Sequence, residues 1–402
     1  MKMKKYTILF AVILAAQFNA IGQDIVKKGF SIAEKQTMLM LNEVAQAKTA
    51  GKAGISPRSL SAQGDLVLVA SKDWCSGFFP GELWYLYAYT HKPIWLKQAQ
   101  AFTTPVEQEK TNGATHDMGF KVYCSVGNAW KLTHEAHDKD VILEASKMLS
   151  TRFNPKVGCI KSWDNREWKF PVIIDNMMNL ELLFEATKLS GDSSYYKIAV
   201  SHANTTMKNH FRADYSSYHV VSYDPETGAV LKRVTHQGYA DESAWARGQS
   251  WALYGFTMCY RETHNKAYLE QAENVARFIL NNTNLPKDLV PYWDYNAPGI
   301  PNEPRDVSAA AVMASALYEL CTYSVNGSFF RTKADRILKS LTEGYAAGPG
   351  TNRGFILLHS IGTKLTNTEV DKPLSYADYY YLEALLRKNN LMNNKPVLTI
   401  IP

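Results

Sequence analysis

The chain has 402 residues, of which 46% are hydrophobic and 20% charged, and it contains 23 glycines, 16 prolines and five cysteines. These proportions exclude a disordered chain, a collagen-like repeat and a small disulfide-stabilised domain, because there is ample apolar material for a buried core. The formal net charge is +6, and three of the lysines stand within the first five residues. A charge this small does not indicate a nucleic-acid partner.

The N-terminus has the pattern of a secretory signal peptide, which we predict to cover residues 1–22. A basic start is followed by an apolar run over residues 6–16 and by the small-residue site Ala20, Ile21, Gly22. The apolar run is about half the ~20 residues that a membrane span needs, so we expect no membrane anchor. No cysteine stands at the cleavage point, so a lipoprotein is disfavoured. We expect an exported, periplasmic protein whose residues 23–402 form a single domain.

The five cysteines are scattered along the chain. Cys124, Cys259 and Cys321 fall within helical patterns beside apolar residues, so we predict buried free thiols. No spacing typical of a metal site and no Cys/His nucleophile pair is present, and we expect neither a metal nor a cofactor.

A helical hairpin recurs about every sixty residues. A bulky residue is followed four positions later by alanine, a spacing that places both on one helix face. The pairs are Trp95/Ala99, Val141/Ala145, Tyr195/Ala199, Tyr268/Ala272 and Phe330/Ala334. The chain accommodates about six such hairpins, with one β-hairpin predicted within residues 218–234. The first helix of a hairpin is apolar on nearly all sides, as in residues 309–317, which favours closure into an all-α, double-layered toroid over an open solenoid.

Polar and aromatic clusters stand where successive apolar helices begin. They cover residues 74–84, 116–117, 175–176, 245–251, 306–308 and 376–379. A single aspartate could be a helix cap, but parallel inner helices would bring all six clusters to one mouth, which predicts a binding pocket. Carboxylates, tryptophans, amides and an arginine together suit an acidic sugar. For Arg247 the alternative is a structural ion pair with Asp241 or Glu242.

These residues resemble glycoside hydrolase family 88, the unsaturated glucuronyl hydrolases, whose fold is an (α/α)6 barrel. The similar segments are 74–84 (WCSGFFPGELW), 116–120 (HDMGF), 174–179 (IDNMMN), 236–251 (HQGYADESAWARGQSW), 306–310 (DVSAA) and 376–380 (YADYY). The unsaturated rhamnogalacturonyl hydrolases of family 105 share the barrel and some of the aspartates. The long segment that ends with Arg247, Gln249 and Trp251 favours family 88.

The resemblance implies hydration of the double bond that a lyase leaves on the non-reducing glucuronic acid of glycosaminoglycan oligosaccharides. It implies that Asp175 protonates carbon 4 and then activates water, and that Asp117 binds ring hydroxyls and holds the proton of Asp175. The residues implied to bind substrate are Trp74 and Trp251 by stacking, His219 and Gln237 near the attacked face, Arg247 at the substrate carboxylate, and His116. The parent polymer (hyaluronan, chondroitin or heparin) and the oligomeric state stay open.

Three further expectations concern the site. A helix start lowers the pKa of Asp175 while the nearby Asp117 carboxylate opposes this, so we expect the pair to titrate together. His219 is either at the attacked face or an exposed loop histidine. Residues 351–364, with Ser360 and Lys364, are predicted to bind sulfate or a second acidic sugar at the rim, or else form an ordinary solvated loop. A non-catalytic glycan-binding toroid and a barrel epimerase, which would need several histidines for proton transfer, remain alternatives.

Overall fold

The computed structural model describes residues 2–164 and 167–400, with the backbone alone for residues 2–21 and Gln23. Twelve α-helices and nine short β-strands lie within these ranges. The helices are α1 (Lys2–Thr49), α2 (Phe78–Thr90), α3 (Pro93–Thr103), α4 (Asn128–Thr133), α5 (Ala136–Ser150), α6 (Leu180–Ser190), α7 (Ser193–Asn209), α8 (Ala246–Thr263), α9 (Lys266–Asn281), α10 (Val307–Leu320), α11 (Gly327–Ser340) and α12 (Ser375–Met392).

The helices form two closed layers. The inner ring runs α2, α4, α6, α8, α10, α12 and back to α2. The outer helices that pack against these inner helices are α3, α5, α7, α9, α11 and α1 in turn. Inner helix α4 continues a π-helical segment, Gly119–Gly127, and α6 continues a 3₁₀ turn, Ile174–Asn179. This is the predicted (α/α)6 barrel.

The four-residue repeat marks the inward faces of outer helices. Trp95 and Ala99 of α3 are 1% and 0% exposed, and Tyr268 and Ala272 of α9 are fully buried. Four of the five pairs are buried at both positions, whereas Tyr195 is half-buried. Helix α10 is buried on every side, as its alanine-rich sequence predicts.

The polar turns of the hairpins end the inner helices. His91, His134 and His264 adopt left-handed backbone angles (φ 56°, 55° and 54°) directly after α2, α4 and α8, and Gly191 does so after α6. This conformation lets the chain reverse while the cap N–H bonds a helical carbonyl. The recurring histidine of these turns is therefore structural.

Short antiparallel strands lie at the end of the barrel where inner helices begin. They are β1 (Ser56–Leu60), β2 (Leu66–Val69), β3 (Phe153–Asn154), β4 (Cys159–Ile160), β5 (Phe170–Ile173), β6 (Val220–Tyr223), β7 (Val230–Val234), β8 (Ser360–Thr363) and β9 (Thr368–Lys372). The predicted hairpin is β6–β7, and β5 joins it as a third strand. Because Ile173 pairs with Val220, the residues that flank these strands are brought together.

The predicted signal segment is the first part of α1, and its side chains lie outside the described residues. The described part of α1 packs against α12 and completes the outer layer. Among the described residues, no helix combines the length and hydropathy needed to cross a membrane. All five cysteines lie in the described ranges and are unpaired. Cys124 and Cys259 are buried as predicted, whereas Cys321, directly after α10, is partly exposed.

Candidate active site

A cavity of about 120 Å³ opens at the end of the barrel where the inner helices begin. Its lining residues come from several hairpins and strands. They are Arg58, Trp74, His116, Asp117, Phe120, Trp163, Ile173, Asp175, Gln237, Arg247, Gly362, Thr363, Thr368, Glu369 and Tyr376. Six residues predicted from the sequence thus meet in one place: Trp74, His116, Asp117, Asp175, Gln237 and Arg247.

A larger cavity of about 400 Å³ lies at the opposite end of the barrel. Its charged side chains neutralise one another: Arg261, for example, pairs with Glu181 at 2.6 Å and with Glu319 at 2.7 Å. Neither predicted aspartate lines it. We therefore place the chemistry in the smaller cavity.

The two aspartates are partly open to the cavity. The side chains of Asp117 and Asp175 are 16% and 10% exposed. The Thr115 hydroxyl donates to Oδ2 of Asp117 at 2.8 Å, and Nε2 of His116 lies 3.3 Å from Oδ1. The Thr115 hydroxyl thus orients one carboxylate oxygen of Asp117, and the His116 ring lies close to the other.

His219 stands directly behind Asp175. Its Nδ1 accepts the backbone N–H groups of His236 and Gln237, each at 3.1 Å, so the ring proton of the neutral imidazole is on Nε2. That Nε2 faces Oδ2 of Asp175 at 3.5 Å. His219 is 4% exposed, so the alternative of an exposed loop histidine is wrong.

The pKa of Asp175 is lowered from its ordinary value. Burial alone would raise it, but the favourable electrostatic interactions of the carboxylate with His219, Arg247 and His116 outweigh burial. The unliganded site therefore holds Asp175 as a carboxylate at neutral pH. The sequence predicted two opposing influences on this pKa, the helix start and Asp117, whereas the groups that lower it are the neighbouring side chains of His219, Arg247 and His116. Joint titration with Asp117 stays a prediction.

Arg247 is 1% exposed, and its terminal nitrogens are bound by protein oxygens. It pairs with Oδ2 of Asp306 at 3.0 Å and donates to the carbonyls of Ile361 and, at 2.7 Å, Gly362. The guanidinium thereby ties α8 to the start of α10 and to β8.

The ion-pair partner of Arg247 differs from the two predicted ones. Asp306 rather than Asp241 or Glu242 takes this place, and its other oxygen caps α10 by accepting the N–H of Ser308 at 3.1 Å. Asp241 instead accepts the backbone N–H of Thr235. The expectation failed because Asp306 is distant in sequence and reaches Arg247 through the packing of α10 against α8.

Of the two predicted stacking platforms, only Trp74 reaches the cavity. Trp74 is partly exposed and packs against Phe120 and Tyr376. Trp251 is 0% exposed and lies below Phe120, with ring centroids 5.2 Å apart. The predicted stacking of substrate on Trp251 is therefore wrong: Phe120 covers its ring.

Of the two residues predicted to bind sulfate in segment 351–364, Ser360 is buried, and sulfate binding by Lys364 stays a prediction. Ser360 begins β8 and is 0% exposed. Lys364 lies outside the cavity lining, and its Nζ is 4.0 Å from Oε2 of Glu303. The segment contributes Gly362 and Thr363 to the cavity wall instead.

The other donors of this segment are paired elsewhere. Arg353 contacts Glu43 of α1 at 3.1 Å, and His359 contacts Asp371 at 2.6 Å. A helical or loop pattern could not predict these partners, since they come from α1 and from β9.

Sequence reasoning missed two parts of the cavity wall. Arg58 of β1 binds Glu369 of β9 through two hydrogen bonds, at 2.7 and 3.0 Å, and also Asp73 at 2.8 Å. Trp163 lines the cavity beside His236, with ring centroids 5.0 Å apart. Arg58 and Glu369 lie in short strands without helical periodicity. Trp163, a tryptophan outside the predicted helices, was the one feature of the sequence that could have indicated this part of the cavity wall.

Paired aspartates, an aromatic platform and a buried arginine at the mouth of an (α/α)6 barrel define a sugar-acting enzyme of the α/α-barrel class. Within the described ranges, no group of three or more His, Cys, Asp or Glu side chains is placed to hold a metal ion. The sequence matches Glycosyl Hydrolase Family 88 over residues 58–390, and the chain belongs to this family.

Individual relatives agree with this assignment. The chain is 53% identical to an unsaturated glucuronyl hydrolase of Formosa agariphila over 84% of its length and 85% of the relative's. It is 34% identical to an unsaturated chondroitin disaccharide hydrolase of Streptococcus pneumoniae, over 80% and 83%. A solved unsaturated glucuronyl hydrolase specific for heparin superposes with a TM-score of 0.87 at 45% identity, covering 94% of this chain and 100% of that one. The chain is thus a glycoside hydrolase, and family membership disfavours the binding-toroid, epimerase and family 105 alternatives.

Proposed function

We propose that this enzyme removes the unsaturated glucuronic acid from the non-reducing end of lyase-generated glycosaminoglycan oligosaccharides. The observation that carries the proposal is the placement of Asp175 between His219 and the cavity, beside a second aspartate, Asp117. Family membership supports the same substrate class. No residue of the site needs a metal or cofactor for this chemistry.

In the proposed reaction, Asp175 donates a proton to carbon 4 of the double bond. Water, deprotonated by the resulting carboxylate, adds at carbon 5 and forms a hemiketal. The hemiketal opens to a ketone at carbon 5 and leaves a hemiacetal at carbon 1, which collapses to an aldehyde and releases the neighbouring sugar as the leaving alcohol. The glycosidic bond is thus lost without direct displacement at the anomeric carbon.

Because the pKa of Asp175 is lowered in the free enzyme, substrate binding must raise this pKa for Asp175 to carry the proton that it donates. A bound uronate brings a second negative charge and displaces water, and both effects raise the pKa of a neighbouring carboxyl. Asp117 accepts from Thr115 and has capacity left for ring hydroxyls. The arrangement therefore favours protonation of Asp175 in the complex rather than in the free enzyme.

We assign substrate contacts to side chains that line the cavity. Trp74 offers an apolar face for the sugar ring, and Gln237, held by the carbonyl of Gly362 at 3.0 Å, retains its amide oxygen for a hydroxyl. Arg247 contributes positive charge at the wall, which suits the substrate carboxylate. Heparin-derived disaccharides are the first to test, because the heparin-specific enzyme is 45% identical and superposes closely.

We also propose that the protein is exported to the periplasm. The basic start, the apolar run over residues 6–16 and the small-residue site support this. Mass spectrometry of the secreted form should give an N-terminus near residue 23. An intact Met1 in a membrane or cytoplasmic fraction would contradict export.

The function is tested by the ultraviolet absorbance of the conjugated double bond in unsaturated heparin, chondroitin and hyaluronan disaccharides. Enzyme should remove the absorbance of at least one of them, and Asp175→Asn should not, since an amide keeps shape but carries no transferable proton. A general acid-base residue contributes about 10²- to 10⁴-fold. Asp224→Asn, at the tip of the β6–β7 hairpin, is the matched control. Unchanged absorbance with tight binding would contradict the proposal, and a rate above about a tenth of wild type for Asp175→Asn would contradict the assignment of Asp175.

A further inference from the structure

The end of the turn that carries Asp175 contacts the segment that follows Asp117. Asn179, the last residue of the 3₁₀ turn, is 0% exposed, and its Oδ1 accepts the backbone N–H of Phe120 at 3.1 Å. Phe120 lies in the first turn of the π-helical segment, where N–H groups have no partner within the helix. Asn179 thus caps, from a neighbouring hairpin, the helix that Asp117 precedes.

Gly119 permits this approach. A Cβ at Gly119 would lie 2.6 Å from Cα of Asn179, 2.9 Å from its Oδ1 and 3.1 Å from the carbonyl oxygen of Met178. Two of these atoms belong to the backbone, so no side-chain rotation could relieve the contact. Any residue other than glycine would push the two turns apart.

The Asp175 turn is also in close contact with α8. A Cβ at Gly255 of α8 would lie 2.5 Å from Cβ of Met177. The turn is therefore held between the helix that carries Arg247 and the segment that follows Asp117, with a glycine at each contact.

From this geometry we propose that Asn179 and Gly119 are positioning residues that set the separation of the Asp117 and Asp175 carboxylates. Neither lines the cavity, and each acts through the backbone of the turn that it holds. The inference rests on the proposed roles of the two aspartates. Since a displacement of about 1 Å can cost about 10²-fold in rate, the contact should affect turnover more than substrate affinity.

The test compares Asn179→Ala, Gly119→Ala and the double variant. Each single variant should lower kcat about 10- to 100-fold and change KM less than about threefold. If both act through one contact, the loss of kcat in the double variant is smaller than the product of the single losses. Asn128→Ala is the matched control: it removes a buried asparagine that donates to the carbonyl of Cys124 at 2.9 Å, away from both aspartates. It should keep kcat within about twofold.

Thermal unfolding shows whether each variant is folded at the assay temperature. If Asn179→Ala does not fold, Asn179→Asp replaces it in the comparison with Gly119→Ala. Asn179→Asp keeps an oxygen acceptor for the N–H of Phe120. Asn179→Asp should retain more kcat than Gly119→Ala. Wild-type kcat in the folded variants, a change confined to KM, or fully multiplicative losses would overturn the positioning role. An inactive Asp175→Asn beside active Asn179 and Gly119 variants would reject this inference alone, whereas an active Asp175→Asn would reject the catalytic assignment on which it rests.

Discussion

Nε2 of His219 faces Oδ2 of Asp175 at 3.5 Å, with the imidazole locked in one tautomer by the backbone N–H groups of His236 and Gln237. The gap is longer than a formed hydrogen bond. A small shift of the Asp175 carboxylate on substrate binding would close it. The pairing of β5 with β6 produces this geometry, because the N–H of Ile174 donates to the carbonyl of His219 at 3.0 Å.

Replacing His219 should move the pH dependence of the enzyme. His219 lowers the pKa of Asp175, so His219→Leu raises that pKa. If protonated Asp175 is the acid, kcat/KM declines as pH rises, and in the variant this decline moves to higher pH while kcat falls about tenfold or more. Profiles of kcat/KM between about pH 4 and about pH 9 measure it, with the exposed His137→Gln as control. An unmoved alkaline limb would show that His219 does not act on the acid.

Arg247→Ala should weaken both the fold and substrate binding. It leaves the Asp306 carboxylate buried without its cation, a change that typically costs about 3–5 kcal/mol. Asp306→Asn added to Arg247→Ala removes the unpaired charge and should restore part of the stability. KM should stay raised in both variants. The increase in KM should exceed the decrease in kcat, because a carboxylate contact is present in ground and transition states alike. Recovery of KM together with stability would assign Arg247 a structural role only.

The two tryptophans should separate binding from stability. Trp74→Ala removes a partly exposed ring at the cavity and should raise KM by about two- to tenfold. Trp251→Ala removes a fully buried ring and should lower the free energy of unfolding by about 3–5 kcal/mol with little change in KM. Steady-state kinetics and urea unfolding of both variants measure this. The reverse pattern would mean that Trp251 stacks on substrate after all.

Two buried histidines of the α7 region should make the fold sensitive to acid. Burial lowers the pKa of His202 and of His210 to about 3 from 6.5. The unfolded chain binds protons below about pH 6.5 while the native state does not, so stability falls as pH decreases from there towards about 3. At about pH 5 the loss is about 2 kcal/mol for each histidine.

His210→Leu should therefore lose less stability than the wild type when the pH is lowered from about 7.5 to about 5. Urea unfolding at the two pH values gives the difference, and the exposed His134→Asn is the control. An identical pH dependence of wild type and His210→Leu would contradict burial of a neutral His210.

The barrel was predictable because its helices repeat one physical pattern. An outer helix must bury one face and an inner helix all of its faces, and both constraints are visible in residues such as Trp95, Ala99 and the alanines of α10. Asp117 and Asp175 were predictable because helix starts converge at one end of the ring. Each cluster at a helix start is a short run of neighbouring residues, so the sequence alone shows it.

The errors have two physical causes. Trp251 stands one turn after Arg247 on an inner helix that is buried on all sides, so periodicity cannot distinguish the face towards the mouth from the face towards the core. The partner of Arg247 is Asp306 at the start of α10, 59 residues away, and Ser360 lies in a strand of four residues. Contacts over long sequence separations fix the orientation of such strands, and no local pattern records those contacts.

The most direct test of the account is to run the reaction in heavy water with an unsaturated disaccharide and to examine the released uronate by mass spectrometry and NMR. Protonation by Asp175, which exchanges with solvent, predicts one deuterium at carbon 4, loss of the ultraviolet absorbance, and neither change with Asp175→Asn. Release of a uronate that keeps its double bond and contains no deuterium at carbon 4 would contradict hydration and indicate direct cleavage of the glycosidic bond.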